Sequence, residues 1–366
     1  MRTDDFNFDL PETLIAQYPP RERGESRLMV LNRSDGETID AMVSDIASFV
    51  EPGTLMVFND SKVRKARLYG ICKQTGACVE FIFLTPADAL AAKQVVQKGG
   101  DDRALVTPAQ QIPSTSRLWR AVCSKAKRQK AGRSYAFPGD MNGIIVEDAH
   151  EEKIIEVSSS LDDEYFDRYG HVPLPPYIKR QDTAADEHRY QTIYARRTGS
   201  AASPTAGLHF TPEILSHLRS RGIDIDYITL HVGLGTFLPV RTENVEDHRM
   251  HEEWFEIGTD VAEKINAAKR EGRKVIAVGT TSLRALESAW SGGKLHPGDF
   301  STRIFIYPGF EFHVVDSLFT NFHTPKSTLL MLVSAFADRE TILKAYRTAI
   351  EKNYRFFSYG DAMLIL

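Results

Sequence analysis

The chain has 366 residues, of which 42% are hydrophobic and 26% are charged. These values are near the globular average, so they exclude a disordered, collagenous or coiled-coil protein, and the length suggests about two domains. The 45 Lys and Arg residues against 49 Asp and Glu give a net charge of −4, which excludes a uniformly basic nucleic-acid coat but still allows a local basic patch.

The first part of the chain predicts two strands with a helix between them. Residues 26–32 favour a strand, and apolar residues recur at helical spacing from Val43 to Val50 until Pro52 and Gly53 end the pattern. Residues 54–58 form a continuous apolar run, which is typical of a strand covered on both faces. A polar cluster, Asn59-Asp60-Ser61-Lys62, follows this strand directly.

From residue 67 to about 160 the sequence is rich in short β pieces. The pieces are residues 67–71, 77–84, 117–122 and 143–146, separated by glycine, proline and charged turns. Spaced strands without long helices predict a small barrel or sandwich. Within this region, residues 90–116 read as a surface insertion, and the later PLPP sequence at 173–176 reads as a stiff connector.

The C-terminal half alternates between strand and helix patterns. Strands are predicted at 223–232, 275–278 and 303–307, and helices at 213–219, 261–268, 282–290, 327–336 and 345–354. Thr324 and Pro325 are expected to cap and open the fourth of these helices. The alternation favours an α/β sheet. We therefore predict an α/β protein with a large α/β domain built from residues 1–66 and 161–366, interrupted by an inserted β-barrel domain at 67–160.

The cellular setting is predicted from three weaker signals. The longest apolar stretch, residues 327–337, is far too short to span a bilayer, and the first residues lack the apolar segment of a secretory signal. The three cysteines, Cys72, Cys78 and Cys123, lack C-x-x-C spacing and fit reduced thiols. We expect a soluble cytoplasmic protein with no membrane partner.

The segment after the strand predicted at 275–278 is the clearest candidate for a ligand-binding site. Gly279 is followed by the hydroxyl residues Thr280, Thr281 and Ser282 and then by Arg284 in the first helical turn. A helix N-terminus after a buried strand is a common ligand site, and an arginine there suits a carboxylate or phosphate. An ordinary N-cap followed by a solvated arginine explains the same residues.

Two further segments place histidines beside small or hydroxyl residues. His209 lies in the segment 204–212 with Thr205, and His231 precedes a G-x-G turn formed by Gly233 and Gly235. A histidine in such a setting can act as an acid or base near neutral pH, although a structural histidine is the commoner case. The G-x-G turn is not a dinucleotide fingerprint, because the third glycine and the helix are absent.

We predict no metal site. His248 and His251 lie three residues apart beside Glu252 and Glu253, but the spacing matches neither H-E-x-x-H nor H-x-x-E-H. The sequence also contains no Walker loop and no G-x-S-x-G elbow, which removes the motifs of NTPases and α/β-hydrolases.

A basic stretch at the end of the β-rich region is a candidate for RNA contact. It contains no acidic residue, and Trp119 lies inside it. Such residues could follow a phosphate backbone in a salt-dependent way, whereas the alternative is a solvated strand edge. Its predicted tRNA-binding members are Arg117, Arg120, Lys125, Lys127, Arg128 and Lys130.

Taken together, these segments resemble one family, the S-adenosylmethionine:tRNA ribosyltransferase-isomerases of queuosine biosynthesis. The resemblance runs along nearly the whole chain, in one order. Its motifs are FNFDLPETLIAQYP from Phe6, SRLMVLNR from Ser26, VFNDSKVRKARLYG from Val57, YGHVPLPPYIKR from Tyr169, DEHRYQTIYAR from Asp186, SPTAGLHFTPEIL from Ser203, ITLHVGLGTFLPV from Ile228, HRMHEEWFEI from His248, VIAVGTTSLRALES from Val275, TNFHTPKSTLLMLVSAF from Thr320 and YRFFSYGDAML from Tyr354.

The resemblance implies a transfer of the ribosyl part of S-adenosylmethionine to tRNA. The acceptor is 7-aminomethyl-7-deazaguanine at the wobble position of a tRNA with a GUN-type anticodon, and epoxyqueuosine is the product while adenine and methionine leave. It also implies an α/β domain interrupted by a small β-barrel, in agreement with the pattern above, and no cofactor beyond S-adenosylmethionine as co-substrate. We expect a monomer.

The expected chemistry needs an acid and a base, because a sulfonium acidifies the neighbouring 5′ carbon and adenine leaves best when protonated. The hypothesised acid–base residues are His209, His231 and His323, with Asp60 or Glu252 as carboxylate partners. Lys65 is a further hypothesised contact to tRNA. The hypothesised substrate-binding residues are Asn59, Arg64, Arg67, Thr205, Gly233, Gly235, Thr280, Thr281, Ser282, Arg284 and Asn321.

Two other function classes stay open at this stage. A tRNA-binding module without chemistry would explain the barrel and the basic stretch, and a metal-dependent hydrolase would use His248 and His251. Departures from the family pattern are small. They are the longer insertion at 90–116, and Ser203 and Phe310 where alanine and tyrosine are expected.

Overall fold

A computed structural model describes residues 1–87, 106–108, 115–149, 152–233 and 240–366. The predicted insertion at 90–116 therefore lies mostly outside the described residues, as does Gly235. The strands are β1 Arg27–Leu31, β2 Thr38–Met42, β3 Leu55–Asn59, β4 Ser61–Val63, β5 Arg67–Cys72, β6 Cys78–Pro86, β7 Val106–Pro108, β8 Ser116–Cys123, β9 Ser134–Ala136, β10 Asn142–Ala149, β11 Glu152–Leu161, β12 Arg197–Ser200, β13 Asp224–Leu230, β14 Glu253–Ile257, β15 Val275–Val278, β16 Trp290–Ser291, β17 Lys294–Leu295, β18 Gly298–Thr302, β19 Ser317–Asn321 and β20 Ala362–Ile365. The α-helices are α1 Asp163–Tyr169, α2 Ala184–Arg189, α3 Pro212–Ser220, α4 Thr259–Arg270, α5 Thr280–Ser288, α6 Thr328–Ala337 and α7 Arg339–Glu351.

Ten strands form one mixed sheet in the order β2-β1-β20-β19-β15-β3-β13-β14-β18-β7. Its centre, β19-β15-β3-β13, is parallel throughout, and the outer pairs β13-β14, β14-β18 and β18-β7 are antiparallel. Strands from both ends of the chain take part, because β20 lies between β1 and β19. All five residues of β3 are buried, as expected for a strand covered on both faces.

Successive side chains of the central strands point to opposite faces and fill two separate cores. Leu55 and Val57 of β3 pack into a core with α4 to α7, whereas Met56 and Phe58 pack with α3 and a 3-10 helix at Val43–Ser48. The period of two in β3 thus places helices on both faces of the sheet. The α/β class predicted from the sequence is confirmed.

A second sheet closes into a barrel of six antiparallel strands, β10-β11-β8-β6-β5-β9. Its interior holds a cluster of aromatic side chains that includes Phe81, Phe83, Trp119, Tyr135 and Phe137. The predicted inserted barrel is confirmed, while the exact domain boundaries at residues 67 and 160 stay a prediction. The stretch between them also supplies β7, which pairs with β18 of the large sheet.

Two local predictions are wrong. Residues 303–307 form no strand, because the Ile304 backbone N–H bonds to the Thr302 hydroxyl and Tyr307 enters a turn, while Ile304 and Ile306 are buried without strand pairing. Helix α6 begins at Thr328 rather than at Pro325. Its cap is Ser327, whose hydroxyl accepts from the Leu330 N–H at 3.1 Å.

The helices predicted at 43–50 and 345–354 both form, but they differ from the prediction in type or in bounds. The first is a 3-10 helix rather than an α-helix. The second, α7, starts earlier at Arg339 and ends at Glu351. Asp338 precedes it with a φ of 59°, and its side chain accepts from the backbone N–H groups of Glu340 and Thr341. Helix α5 also begins two residues before the predicted start.

Candidate active site

A cleft lies where the four parallel central strands end. Asn59 and Asn321 end β3 and β19, Gly279 follows β15, and His231 follows β13, so these polar positions meet at one edge of the sheet. Asn321, Gly279, Thr280 and Thr281 line the cleft itself. Open α/β sheets commonly bind ligands at this edge.

The lining that the structure describes contains hydroxyls and aromatic rings but no Asp, Glu, Lys or Arg. Phe322 and Phe357 are the phenylalanines of the wall, and Phe357 adopts a φ of 71°, which is strained for a bulky residue. Such a surface offers oxygen lone pairs and apolar faces rather than a counter-charge. The hydroxyl groups belong to Tyr177, Ser203, Thr205, Thr280, Thr281, Thr320, Thr324 and Ser358.

Helix α5 starts directly after β15, and the turn between them depends on a glycine. Gly279 has a φ of 90°, a conformation that side chains disfavour. The three hydroxyl residues that follow have different surroundings. Thr280 lines the cleft, the Thr281 hydroxyl accepts from Asn59 Nδ2 at 3.3 Å, and the Ser282 hydroxyl donates to the Val278 carbonyl at 2.8 Å.

Arg284 is not solvated. Its guanidinium forms an ion pair with Glu253 of β14, and both side chains are 3% exposed. Glu253 also accepts from the Gly233 backbone N–H at 3.1 Å, which places the predicted Gly233 beside this pair. The alternative of a solvated arginine is therefore wrong. Its partner Glu253 was named in the sequence only as a carboxylate beside His251, and not as a partner of Arg284.

Asn59 and Asp60 hold the strand ends together. The Asn59 amide exchanges two hydrogen bonds of 3.0 Å with the backbone of Leu230, across from β3 to β13. Asp60 accepts from Thr229 at 2.6 Å and pairs with Arg196 at 3.2 Å. Neither is among the described residues of the cleft wall.

Arg64, Arg67 and Lys65 lie on the barrel side of the molecule. Arg64 donates to Asp163 at 2.7 Å and packs over Trp119 at 5.3 Å. Arg67 donates to the Leu174 carbonyl at 2.9 Å. Lys65 contacts Glu187 at 3.0 Å in a second cleft. These three side chains are therefore not among the described residues that line the cleft at the strand ends.

The three hypothesised catalytic histidines have different positions. His323 lines the cleft, and its Nε2 lies 2.9 Å from the Thr320 hydroxyl. His209 lies behind the wall and bonds to Asn321, and His231 stacks on Trp254 with ring centroids 4.9 Å apart. Burial lowers the pKa of His209 and His323 to about 3 and that of His231 to about 4. All three are therefore neutral at pH 7.

Glu252 lies away from the described cleft wall, where it accepts from Ser301 at 2.6 Å and contacts Arg303 at 2.9 Å. His248 packs against Phe305 with ring centroids 5.2 Å apart. Among the described residues, no group of three or more His, Cys, Asp and Glu side chains could hold a metal ion. In the same residues, no helix has the length and apolar character needed to cross a membrane.

The basic stretch of the barrel divides into two sets. Arg117, Arg120 and Lys130 contact acids of β10 and β11, namely Glu156 at 3.5 Å, Glu152 at 3.1 Å and Asp148 at 2.9 Å. By contrast, Lys125, Lys127 and Arg128 are exposed and have no ion pair with another described residue. Trp119 is fully buried in the barrel, so it is not available to stack on a base.

Sequence reasoning missed several parts of the cleft wall. Tyr177, Ser358 and Phe357 come from two distant segments, and the Tyr177 and Ser358 hydroxyls lie 2.6 Å apart. Both segments belong to the motifs that carried the resemblance, YGHVPLPPYIKR and YRFFSYGDAML. Both motifs are recognisable in the sequence, but no residue pattern indicates that the two segments are in contact.

The chain is similar over its full length to a set of named proteins. Residues 3–365 match the family model described as "Queuosine biosynthesis protein". A protein of Treponema denticola is 49% identical, with 100% of each chain covered, and one of Carboxydothermus hydrogenoformans is 46% identical with the same coverage. One of Francisella tularensis is 45% identical and covers 100% of this chain and 99% of its own. All three are named S-adenosylmethionine:tRNA ribosyltransferase-isomerase.

A solved structure agrees with these sequence matches. The crystal structure of an S-adenosylmethionine tRNA ribosyltransferase from Thermotoga maritima is 30% identical, with a TM-score of 0.54. The match covers 99% of this chain and 100% of the other.

Proposed function

The chain belongs to the queuosine biosynthesis protein family, and from this membership we infer that it is an S-adenosylmethionine:tRNA ribosyltransferase-isomerase. Relatives that cover the full chain at 45–49% identity carry the name of an enzyme, which favours the transferase over a tRNA-binding module without chemistry. The substrates of this activity are S-adenosylmethionine and tRNA.

We further propose the finer course of the reaction. The ribosyl part of S-adenosylmethionine is transferred to 7-aminomethyl-7-deazaguanine at the wobble position of a tRNA with a GUN-type anticodon. Epoxyqueuosine forms, and adenine and methionine leave. The proposal includes a cytoplasmic monomer that needs no cofactor beyond S-adenosylmethionine.

The observation that carries the proposal is the uncharged cleft at the strand ends. A sulfonium is a cation, and the hydroxyl oxygens of Thr205 and Thr280 can stabilise a cation through their dipoles. Because no acidic side chain is among the described wall residues, the sulfonium charge would stay uncompensated, which keeps the neighbouring 5′ carbon acidic.

Among the hypothesised acid–base histidines, His323 is the candidate that faces the ligand. It lines the cleft, and burial keeps its ring neutral at pH 7, whereas His209 and His231 are not among the described wall residues. Exposed Lys125, Lys127 and Arg128 on the barrel are the proposed electrostatic contact to tRNA.

Adenine release tests the proposal. Purified protein is incubated with S-adenosylmethionine and tRNA that carries aminomethyl-deazaguanine, and the same tRNA with unmodified guanine is the control. Adenine is expected only with the modified tRNA, with and without a chelator. Binding of tRNA at low salt without any adenine release would instead indicate a binding module.

A further inference from the structure

A chain of three hydrogen-bonded side chains leads from the protein interior to the cleft. Asn321, 3% exposed, lies at its centre. Its Nδ2 is 2.9 Å from His209 Nε2 and 3.2 Å from the Phe357 carbonyl, and its Oδ1 is 2.9 Å from the Thr205 hydroxyl. The donor and acceptor atoms of each hydrogen bond determine which atom donates in the next one.

The orientation of the Asn321 amide follows from Phe357. A backbone carbonyl can only accept, so the amide nitrogen and not the amide oxygen must face it. The opposite orientation would bring two oxygens together at 3.2 Å. Asn321 Nδ2 therefore donates to the Phe357 carbonyl and also to His209 Nε2.

His209 is then a hydrogen-bond acceptor at Nε2. Its ring is 4% exposed and packs edge-on against Phe319, so the charged form would be buried without compensation. A neutral imidazole that accepts at Nε2 carries its proton on Nδ1. In this state His209 fixes Asn321 but has no Nε2 proton to give.

The last step sets the direction of the Thr205 hydroxyl. Asn321 Oδ1 has no hydrogen, so the Thr205 hydroxyl donates to it, and the oxygen lone pairs of Thr205 stay available. Thr205 lines the cleft, so these lone pairs are offered to a ligand.

We propose that Thr205 binds the co-substrate by accepting a hydrogen bond from one of its O–H or N–H donors, and that His209 and Asn321 are positioning residues that hold Thr205 in this direction. The identity of the ligand rests on the proposed function, whereas the direction of the hydrogen bonds does not. The role of His209 thereby changes from the hypothesised acid or base to a residue that acts through Asn321.

The binding part is tested with Thr205→Val, which removes the acceptor, and Thr205→Ser, which keeps it. Thr205→Val is expected to lower kcat/KM for S-adenosylmethionine about tenfold, and Thr205→Ser to stay within about threefold of wild type. Equal values for Thr205→Val and wild type would overturn the proposal.

Inhibition by unreactive analogues identifies the donor. S-adenosylhomocysteine is compared with derivatives that lack the 2′-hydroxyl, the 3′-hydroxyl, the α-amino group or the adenine N–H groups. One derivative is expected to bind wild type about tenfold more weakly than the parent compound but to show no such difference with Thr205→Val. Losses that are the same in both proteins for every derivative would exclude a hydrogen bond to Thr205.

The positioning part is tested with His209→Gln and His209→Leu. The glutamine carbonyl can accept from Asn321, so His209→Gln is expected to keep kcat/KM within about threefold with an unchanged pH profile, whereas His209→Leu loses about tenfold. Loss in both variants together with a lost limb of the pH profile would show that His209 is the acid or base.

A spectroscopic measurement needs no substrate and separates this proposal from the proposed function. In protein labelled with ¹⁵N-histidine, the signals that disappear in His209→Gln belong to His209. They are expected to report the neutral Nδ1–H tautomer from about pH 5.5 to 8. An Nε2–H tautomer would overturn the hydrogen-bond chain even if wild type releases adenine. The expected tautomer in a protein that releases no adenine would contradict only the proposed function.

Discussion

The guanidinium of Arg284 and the carboxylate of Glu253 form an ion pair across the interface of α5 and β14, with each side chain only 3% exposed. The preceding residue, Glu252, lies just before β14 and pairs with Arg303 at 2.9 Å on a much more exposed surface. Two adjacent residues of the same type thus hold arginines in opposite environments, which provides an internal control.

Glu253→Gln is expected to lower the free energy of unfolding by about 3 kcal/mol, because it leaves a buried guanidinium without its counter-charge. Glu252→Gln is expected to cost less than about 1 kcal/mol, since its pair is partly solvated. Urea unfolding of both variants at pH 7 gives the comparison. Equal losses would show that burial of the Arg284 pair does not set its contribution.

Variants of Thr280 and Ser282 distinguish a hydroxyl that contacts the ligand from a hydroxyl that supports the fold. The Thr280 hydroxyl makes no hydrogen bond to another described residue and lines the cleft, whereas the Ser282 hydroxyl donates to Val278 and is fully buried. Thr280→Val is expected to lower kcat/KM about tenfold with unchanged stability. Ser282→Ala is expected to keep kcat/KM within about twofold and to lose less than about 1 kcal/mol of stability. Steady-state kinetics with urea unfolding tests this pair, and the reverse pattern would contradict it.

The buried histidines make stability depend on pH. Burial lowers the pKa of His209 and His323 to about 3 in the folded protein, while an unfolded chain binds the same protons near pH 6.5. Between these values the unfolded state holds more protons, so stability is complete above about pH 6.5 and falls as the pH decreases, by about 1.4 kcal/mol per unit for each histidine.

The His209→Gln variant isolates the contribution of one histidine to this loss of stability at low pH. Between pH 7 and pH 5, its free energy of unfolding should fall by about 2 kcal/mol less than that of wild type. Urea unfolding at the two pH values gives both differences. Identical losses would mean that His209 is already protonated in the folded protein or stays unprotonated in the unfolded chain.

The two basic sets of the barrel predict different salt effects. Replacing Lys125, Lys127 and Arg128 by alanine should weaken tRNA binding and reduce the slope of log affinity against log salt by about 2. Replacing Arg117, Arg120 and Lys130, which already contact acids, should change the slope by less than about 1. Filter binding across a salt series provides the slopes, and an equal effect of both triple variants would reject the assignment.

Strong local patterns made much of the fold predictable. The buried run of β3, the glycine between β15 and α5, and the aromatic β pieces of the barrel each follow from the residues within them. Errors arose where burial did not require regular structure. Ile304 and Ile306 have the apolar pattern of a buried strand, but their segment packs on the core without strand pairing.

The site was less predictable, because its residues come from distant segments. The strand-end rule located Thr280 and Thr281 in the cleft wall, whereas Asn321 was selected only within a family motif. Asn59, in the polar cluster after β3, binds the backbone of Leu230 instead. The pairing of Arg284 with Glu253 depends on how β14 lies against α5, and no local pattern contains that information.

The chain leaves for the barrel and returns from it at one point. Arg67 and His171 exchange two backbone hydrogen bonds, of 3.3 and 2.9 Å, although more than a hundred positions of sequence separate them. The register of β3 against β13 is formed by residues outside this span, so changes in length between Arg67 and His171 do not act on it directly. Every described residue of the cleft wall lies outside residues 67–171, so changes in the barrel are separated in sequence from that cleft. Strand β7 is a second connection between this span and the large sheet, because it pairs with β18 at the edge of that sheet.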